Sequence, residues 1–393
     1  MPFISASFIF DGQQFLPPNS CIEIDENGTI LQVLSNKNDV EPTYYKGLLM
    51  PGMVNAHCHL ELSYMKEKIE PNMGLVDFLI SVMKLKNEVL QNDIFLSIEN
   101  AVSEMQANGI VAVGDICNTL NTFKEKSKSR LWYHSFIECI GLNNFKSRRS
   151  FFKKILILYN TFSELHPSSM VLHAPYSISE KLIELINTKC KQNLMSIHNQ
   201  ESAEENKLFE KREGDFLKLL NEIRFKIENF QTNSKSSIQN YFDKILNASK
   251  IILVHNTFTS KDDIQYVRKF NKEVFWCLCP KANLYIENTL PLIENFIDEH
   301  CCIVLGTDSL ASNDTLSIWD EISTIRKYNP LIPIETILRW ATYNGALALG
   351  LESKVGQFQK GMQPGIVHIE SFDKQFYQKN EKLNLLYKSG KAL

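Results

Sequence analysis

The sequence predicts an α/β fold: a (β/α)8 barrel of the TIM type, with a small β-sandwich domain built from both ends of the chain. Three observations support this. From about residue 48 onward, short apolar runs alternate with long amphipathic stretches, as in βα units around a parallel sheet. Eight such runs can be counted, and eight strand–helix repeats are typical of such a barrel. Both termini instead consist of strand-like segments.

The chain ends carry the pattern of short strands joined by turns. The segments SASFIFDGQQF and CIEIDENGTILQVL alternate apolar and polar residues, and both contain an Asp-Gly or Asn-Gly hairpin signal. Near the other end of the chain, the segment VGQFQKGMQPGIVHIESF again has the pattern of short strands. We therefore expect residues 1–50 and 353–393 to form the small β-sandwich domain, and residues 51–352 to form the catalytic barrel.

The apolar runs are the expected barrel strands. They span residues 48–56, 109–117, 131–140, 170–175, 194–201, 251–258, 274–283 and 302–310. Amphipathic segments such as SISEKLIELINTKCKQ fill most gaps and predict helices, here with Ser177 or Ser179 as the N-cap. One gap is longer than the others, which predicts an insertion at about residues 202–250. It is expected to be a lid or a second helix with a disordered turn.

Composition and charge exclude several classes of partner. With a net charge of −3 and a pI of about 6.3, the chain lacks the excess of positive charge that is typical of proteins that bind nucleic acid. Nine cysteines without an even-spaced framework indicate reduced thiols. Neither a signal peptide nor a run of roughly 20 apolar residues is recognised. We expect a cytoplasmic protein that binds a small molecule and neither nucleic acid nor a membrane. Barrel enzymes of this size often associate, so a homodimer is left open.

Polar residues recur where the predicted strands end, which is the catalytic face of such a barrel. The residues in these positions are His57, His59, His173, His198, Glu201, His255 and Asp308. His57 and His59 are two residues apart on a strand, so both side chains point to the same face. His198 would add a third nitrogen and Asp308 a carboxylate oxygen. Such a set suits Zn²⁺ or a similar divalent ion that activates water.

Four further residues are candidates for substrate contacts, and two of them, Glu61 and Arg148, have an alternative explanation. Glu61 follows His59 by two residues and, if the extended geometry persists, could accept hydrogen bonds from ribose hydroxyls; it could equally be a solvated loop carboxylate. Arg148 could pair with a substrate carboxylate, although a solvated basic run is the simpler interpretation. Asn283 and Ser309 stand at strand ends, where they could contact the base.

Five motifs, in this order, resemble a known group of enzymes: PGMVNAHCHLELS, HAPYS, SIHNQES, LVHN and LGTDSLASN. They are similar to the amidohydrolase superfamily, in particular to its deaminase/chlorohydrolase branch. The resemblance implies a metal-bearing barrel and one divalent ion, zinc first and iron as the alternative. The ligands it implies are His57, His59, His198 and Asp308. Two-metal members have a lysine at the end of strand four, which HAPYS lacks, so one ion is expected.

The same resemblance implies roles for individual side chains. Glu201 corresponds to the proton shuttle, and His255 to the histidine that polarises the metal-bound water, with Asp308 helping to orient its proton. His173 matches a residue that contacts the substrate. The Asn199-Gln200 pair departs from the more common Leu-Ala at this point of the motif.

Within the branch, two longer segments narrow the expected reaction. HCHLELSYMK and SIHNQESAEENKLFE are similar to the aminodeoxyfutalosine deaminases, which convert a 6-amino purine to a 6-oxo purine. The expected function is hydrolytic deamination of an adenine-type purine nucleoside, aminodeoxyfutalosine-like, by a metal-dependent aminohydrolase. The alternatives are a deaminase of a guanine- or triazine-type heterocycle, a cyclic amide hydrolase and, from a different class, a non-catalytic scaffold barrel.

Overall fold

The computed structural model describes residues 2–36, 40–86, 90–142, 148–189, 194–375 and 381–389. In these residues the strands are β1 (Phe3–Ile9), β2 (Cys21–Ile24), β3 (Ile30–Leu34), β4 (Thr43–Pro51), β5 (Met53–Cys58), β6 (Ile110–Cys117), β7 (Trp132–Cys139), β8 (Ser168–Leu172), β9 (Leu194–Asn199), β10 (Lys250–His255), β11 (Glu273–Leu278), β12 (Cys302–Leu305), β13 (Ile366–Glu370) and β14 (Lys382–Tyr387).

The helices of the same residues mostly lie between the strands β5 to β12 in the chain. The α-helices are α1 (Leu75–Leu85), α2 (Gln91–Ala107), α3 (Phe123–Lys128), α4 (Arg148–Ser163), α5 (Glu180–Lys189), α6 (Ala203–Lys211), α7 (Phe216–Glu222), α8 (Ile238–Tyr241), α9 (Lys261–Val267), α10 (Pro280–Glu287), α11 (Ile293–Asp298), α12 (Ile318–Tyr328), α13 (Ile334–Arg339) and α14 (Gly345–Leu349). The 3-10 helices include Leu60–Met65 and Pro175–Ser177.

Strands β5 to β12 form the barrel. Parallel pairing joins β5, β6, β7 and β8 in one half and β9, β10, β11 and β12 in the other. The halves meet at two seams: His198 N donates to His173 O at 2.9 Å, and Thr307 N donates to His57 O at 3.1 Å. The predicted (β/α)8 barrel is therefore confirmed, and both seams involve residues of the predicted metal or substrate site.

The first predicted strand spans two observed ones. Within residues 48–56, the chain leaves β4 at Pro51 and enters β5 at Met53. Gly52 lies between them, and a Cβ atom there would come 2.1 Å from Val111 Cγ1 and 2.8 Å from Pro364 O. Only glycine fits so close an approach. One continuous apolar run thus passes from the terminal sheet into the barrel.

Both chain ends contribute to a separate six-stranded sheet, as the sequence predicts. Its order is β14-β13-β4-β1-β2-β3, with β1 and β4 parallel and the other neighbours antiparallel. Its buried core is made by the alternating apolar residues of these strands, chiefly Ile4, Ile22, Ile30, Leu49 and Ile366. Neighbouring residues of a strand point to opposite faces of the sheet, so Leu49 packs in this core whereas Leu48 and Met50 pack in the larger core of the barrel.

The predicted insertion contains several short helices rather than one long helix. Helix α6 begins after Ser202, whose side chain accepts a hydrogen bond from Glu205 N, and α7 and α8 follow. Among the described helices, none combines the length and apolar character that crossing a membrane requires.

Candidate metal and substrate site

Four side chains from three strand ends, three of them buried and His59 partly buried, converge at the carboxyl face of the barrel. His59 Nε2 lies 3.1 Å from His57 Nε2 and 3.2 Å from His198 Nε2. Asp308 Oδ1 lies 3.4 Å from His59 Nε2 and 3.6 Å from His57 Nε2. One atom of each residue falls within 4.8 Å of all the others. These are the four residues that the sequence groups as a metal site.

The spacing of these atoms fits a divalent ion. Donor atoms bonded to zinc at about 2.0–2.1 Å in a tetrahedron are roughly 3.3 Å apart, and the four separations given above run from 3.1 to 3.6 Å. Imidazole lone pairs that face one another across such distances repel unless a cation lies between them. Three imidazoles and one carboxylate are also a donor set that zinc and iron accept.

The protonation states of the histidines and of Asp308 also support a metal site. His198 Nδ1 donates to His173 O at 2.7 Å, which leaves the Nε2 lone pair directed at the cluster. Burial, followed by the charge of His57, holds the pKa of His59 and His198 well below the ordinary histidine value. Burial opposes ionisation of Asp308, but its hydrogen bond with His57 and the nearby histidines lower the pKa of this carboxyl group. A neutral imidazole at His59 and at His198 and an ionised carboxylate at Asp308 are the forms in which these groups bind a metal ion.

The loop that carries Asp308 is fixed to the strand that carries the first two histidines. Asn55 Nδ2 donates to Thr307 Oγ1 at 2.7 Å, and Thr307 N donates to Asn55 Oδ1 at 3.1 Å. Asp308 adopts a left-handed conformation with φ of 57°, and its second carboxylate oxygen accepts a hydrogen bond from Ser312. A left-handed non-glycine residue is uncommon and needs such surrounding contacts.

A second pair of groups lies beside the four donors. Glu201 Oε1 is 3.5 Å from His255 Nε2. His255 Nδ1 lies 2.9 Å from Asn283 Oδ1, so Nδ1 carries the proton and Nε2 is an acceptor. Burial lowers the pKa of His255 to about 4. Burial, with the charge of Asp308 second, raises the pKa of Glu201 well above its ordinary value. The pair therefore offers a neutral base and a carboxyl group that favours its protonated form.

The backbone that presents Glu201 is held by a neighbouring carboxylate. Glu205 accepts hydrogen bonds from Gln200 N at 3.1 Å and from Glu201 N at 3.3 Å. Ser237, from the predicted insertion, donates to the same side chain. Tyr241 of the insertion donates to Asn199 Oδ1 at 2.8 Å. The insertion is thus bonded to the segment that carries Glu201.

A cavity of about 560 Å³ opens above these residues. Its floor includes parts of His59, His198, Glu201, His255 and Asp308. Its walls are largely apolar, with Phe78, Leu79, Val82, Phe151, Leu219 and Ile223 among them. Its size and its few convergent polar groups are those of a small-molecule site. His173 and Ser309, both predicted as substrate contacts, line this cavity.

Two predicted substrate contacts, Glu61 and Asn283, are not among the described residues that line the cavity. Glu61 lies in the 3-10 turn that begins at Leu60, so the extended geometry does not persist beyond His59. Its carboxylate accepts hydrogen bonds from Asn118 N and Thr119 N, which holds the loop after β6 rather than facing the cavity.

Asn283 supports His255 instead of lining the cavity. Arg148 begins α4, but its side chain lies outside the described part of the structure.

Several residues of the site were not predicted from the sequence. Glu138, at the end of β7, lines the cavity and is buried. Asn55, Glu205 and Ser312 support the residues that do line it. A carboxylate inside the apolar run LWYHSFIECI is the one signal that could have identified Glu138, since charged residues are seldom fully buried.

An eight-stranded barrel with a histidine-rich cluster of metal-donor groups at its carboxyl face is the architecture of a metal-dependent hydrolase. A sequence model of the amidohydrolase family matches residues 48–393, and the chain belongs to this family. The predicted resemblance and the predicted class, a hydrolase of carbon–nitrogen bonds, are thereby confirmed.

Individual relatives are similar over most of their length. An adenosine deaminase of Helicobacter pylori is 28% identical over 316 residues, which cover 79% of this chain and 76% of the relative. An aminodeoxyfutalosine deaminase of Nitratiruptor sp. is 25% identical over 345 residues, covering 85% and 78%. The crystal structure of Helicobacter pylori aminofutalosine deaminase in complex with methylthio-coformycin matches with a TM-score of 0.80 at 23% identity, covering 98% and 97%. This last match shows that the fold is shared.

Proposed function

We propose that the protein is a metal-dependent aminohydrolase that deaminates an adenine-type purine nucleoside, aminodeoxyfutalosine-like, to the 6-oxo product and ammonia. The observation that carries the proposal is the convergence of four metal-donor atoms beside Glu201 and His255 on the floor of one cavity. The names of the relatives, adenosine deaminase and aminodeoxyfutalosine deaminase, favour the adenine ring as the group acted on.

One Zn²⁺ ion, or Fe²⁺ in its place, would be held by the four convergent residues, namely His57, His59, His198 and Asp308. Such an ion, when bound, supplies a nucleophile at neutral pH because it lowers the pKa of a water molecule toward about 7. The donor set is complete in this chain, which favours an enzyme over a scaffold barrel.

His255 and Glu201 divide the proton transfers. His255 presents Nε2 as an acceptor, since its other nitrogen donates to Asn283, and so it can take or orient the proton of the attacking water. Glu201 delivers a proton to the ring nitrogen as the oxygen adds to the amine-bearing carbon. The bond from that carbon to the exocyclic nitrogen then breaks, and the nitrogen leaves as ammonia with the proton that His255 took from the water. The proton of the added hydroxyl returns to Glu201. The carbon is left as the 6-oxo group.

The cavity walls suit the purine ring of such a substrate and the substituent that the ring carries. Its apolar walls can bury a purine ring and an apolar substituent. Lys86 lines the same cavity, so an anionic group at the far end of the substituent would meet a cation there. His173 lies beside His198, with ring centroids 5.0 Å apart, where it can contact the base.

A substrate panel tests the proposal. Zinc-loaded protein is mixed with adenosine, 5′-methylthioadenosine, aminodeoxyfutalosine, guanine and a cyclic amide, and ammonia release is measured with the ultraviolet change from adenine to hypoxanthine. We expect both signals with at least one adenine nucleoside. Ammonia from guanine alone, or ring opening of the cyclic amide without ammonia, would overturn the adenine assignment. No turnover of any compound by metal-loaded protein would overturn the whole proposal.

A further inference from the structure

Glu138 is a buried carboxylate with one oxygen left unsatisfied inside the cavity. Its side chain is only 3% exposed, and it lies at the end of β7. Oε2 accepts a hydrogen bond from Asn118 Nδ2 at 2.8 Å. No described residue donates a hydrogen bond to Oε1. A buried charged oxygen without a donor is costly, and such groups in native structures call for an explanation.

His198 does not supply the missing donor. Its Nδ1 lies 4.0 Å from Glu138 Oε1, too far for a hydrogen bond, and that N–H is already donated to His173 O at 2.7 Å. The Nε2 atom of His198 belongs to the four-donor cluster. Because Nδ1 carries a proton, the trio of Glu138, His173 and His198 is also unsuited to bind a second metal ion.

His173 places a second acceptor next to Glu138. Ser177 Oγ donates to Ala174 O at 2.9 Å, so it accepts the bond that it shares with His173 Nδ1 at 2.7 Å. With the proton on Nδ1, His173 Nε2 keeps a lone pair. One ligand atom of Glu138 and one of His173 lie within 4.8 Å of each other. Two acceptors that both line the cavity are complementary to donor groups on a ligand.

We propose that Glu138 accepts a hydrogen bond from a sugar hydroxyl of the nucleoside substrate, and so selects a ribonucleoside. The inference rests on the proposed function. The proton-transfer residues follow β9 and end β10, whereas Glu138 ends β7, on the opposite side of β8. In a purine nucleoside the sugar is attached at the end of the ring system away from the reacting carbon. A ring whose amine-bearing carbon lies at the metal cluster therefore directs its sugar away from Glu201.

The test compares Glu138→Gln with the wild type on substrates that differ by one hydroxyl. The substrates are adenosine, 2′-deoxyadenosine and 3′-deoxyadenosine, and kcat, KM and bound zinc per chain are measured. Glutamine keeps the shape but removes the charge, and a hydrogen bond to a charged acceptor is worth about 10- to 100-fold in affinity. Glu381→Gln is the matched control: its side chain is 2% exposed and it pairs with Arg326, away from the cavity.

We expect Glu138→Gln to lower kcat/KM for adenosine by about 10- to 100-fold, mainly through KM, with zinc content unchanged. For the deoxynucleoside that lacks the bonded hydroxyl, the same substitution should change kcat/KM less than about threefold. An equal loss with all three substrates, or a loss of zinc, would assign Glu138 a structural role and overturn the inference. If the wild type deaminates none of the adenine nucleosides, the proposed function fails and this inference fails with it.

Discussion

Glu205 accepts a hydrogen bond from the backbone N–H of Glu201, with the nitrogen and the carboxylate oxygen 3.3 Å apart. The same side chain also binds Gln200 N and the hydroxyl of Ser237. Gln200 itself has a left-handed backbone with φ of 44°. The position of the proposed proton shuttle therefore depends on a fully buried carboxylate and on one hydroxyl from the insertion. This gives the insertion a positioning role that can be tested.

Ser237→Ala should slow catalysis without removing the metal. Loss of its hydroxyl leaves Glu205 with one donor fewer, so the Glu201 segment is held less firmly. We expect kcat to fall about tenfold, because small misplacements of a catalytic group are costly, while KM and zinc content stay within about twofold. Steady-state kinetics and metal analysis measure this. Ser103→Ala, at an exposed position of α2, is the control. Unchanged kcat in Ser237→Ala would remove the positioning role.

Glu205 should make stability depend on pH. Burial raises its pKa from 4.5 to about 7 in the folded chain. Between these values the unfolded state has already released the proton that the folded state retains, so the free energy of unfolding falls as pH rises from about 4.5 to about 7 and levels off above. The effect amounts to about 3 kcal/mol. It is measured by urea unfolding of zinc-saturated protein at several pH values.

The variant that tests this pH effect is Glu205→Gln, because a glutamine side chain does not titrate in this pH range. Its free energy of unfolding should change less between pH 5 and pH 7 than that of the wild type. Glu222→Gln replaces an exposed carboxylate at the end of α7 and should follow the wild-type curve. Parallel curves for wild type and Glu205→Gln would contradict the assignment.

The two hydrogen bonds between Asn55 and Thr307 should matter for metal affinity. Asn55→Ala removes both bonds and leaves Thr307 N held by His57 O alone. The loss of two hydrogen bonds costs about 1–3 kcal/mol in unfolding free energy. We expect zinc bound per chain to fall after dialysis against a weak chelator. Thr307→Val keeps the bond from Thr307 N and should lose less zinc. Equal zinc retention by wild type and Asn55→Ala would show that the loop holds its place unaided.

Glu201→Gln separates proton transfer from metal binding. Glutamine cannot donate or accept the proton, so kcat should fall by orders of magnitude, while the four donor atoms are untouched and zinc content stays at the wild-type level. His198→Ala should lower both activity and zinc content, because it removes one donor. Near-normal turnover by Glu201→Gln would mean that another group is the proton shuttle.

Much of the barrel could be predicted because each strand is a buried apolar run, and the polar residues stand where the runs end. His198 and Asp308 are far apart in the chain, yet the barrel rule alone places both at one face. The residues at which individual strands begin and end were harder to predict. Residues 48–56 form a single apolar run, and only the close packing around Gly52 reveals that it belongs to two sheets.

The supporting residues could not be predicted for a physical reason. Asn55 acts through hydrogen bonds to Thr307, which lies 252 positions away in the chain, and no local pattern marks such a partner. Glu205 binds backbone groups four and five positions away, but its third partner, Ser237, lies 32 positions away and has no local signal. For Glu61, by contrast, a local pattern was present but misleading. Its spacing from His59 suggested a shared face, but the change from strand to 3-10 turn redirected its side chain to Asn118 and Thr119.

The most direct test of a one-metal deaminase is a titration of the metal-free protein with zinc. Adenine-nucleoside deamination, followed by ammonia release, is measured against equivalents of zinc added per chain. We expect no activity without metal, a linear rise, and a plateau at one equivalent, since the structure brings together a single four-donor cluster in its described residues. Full activity in the metal-free protein, or a plateau only at two equivalents, would contradict the account.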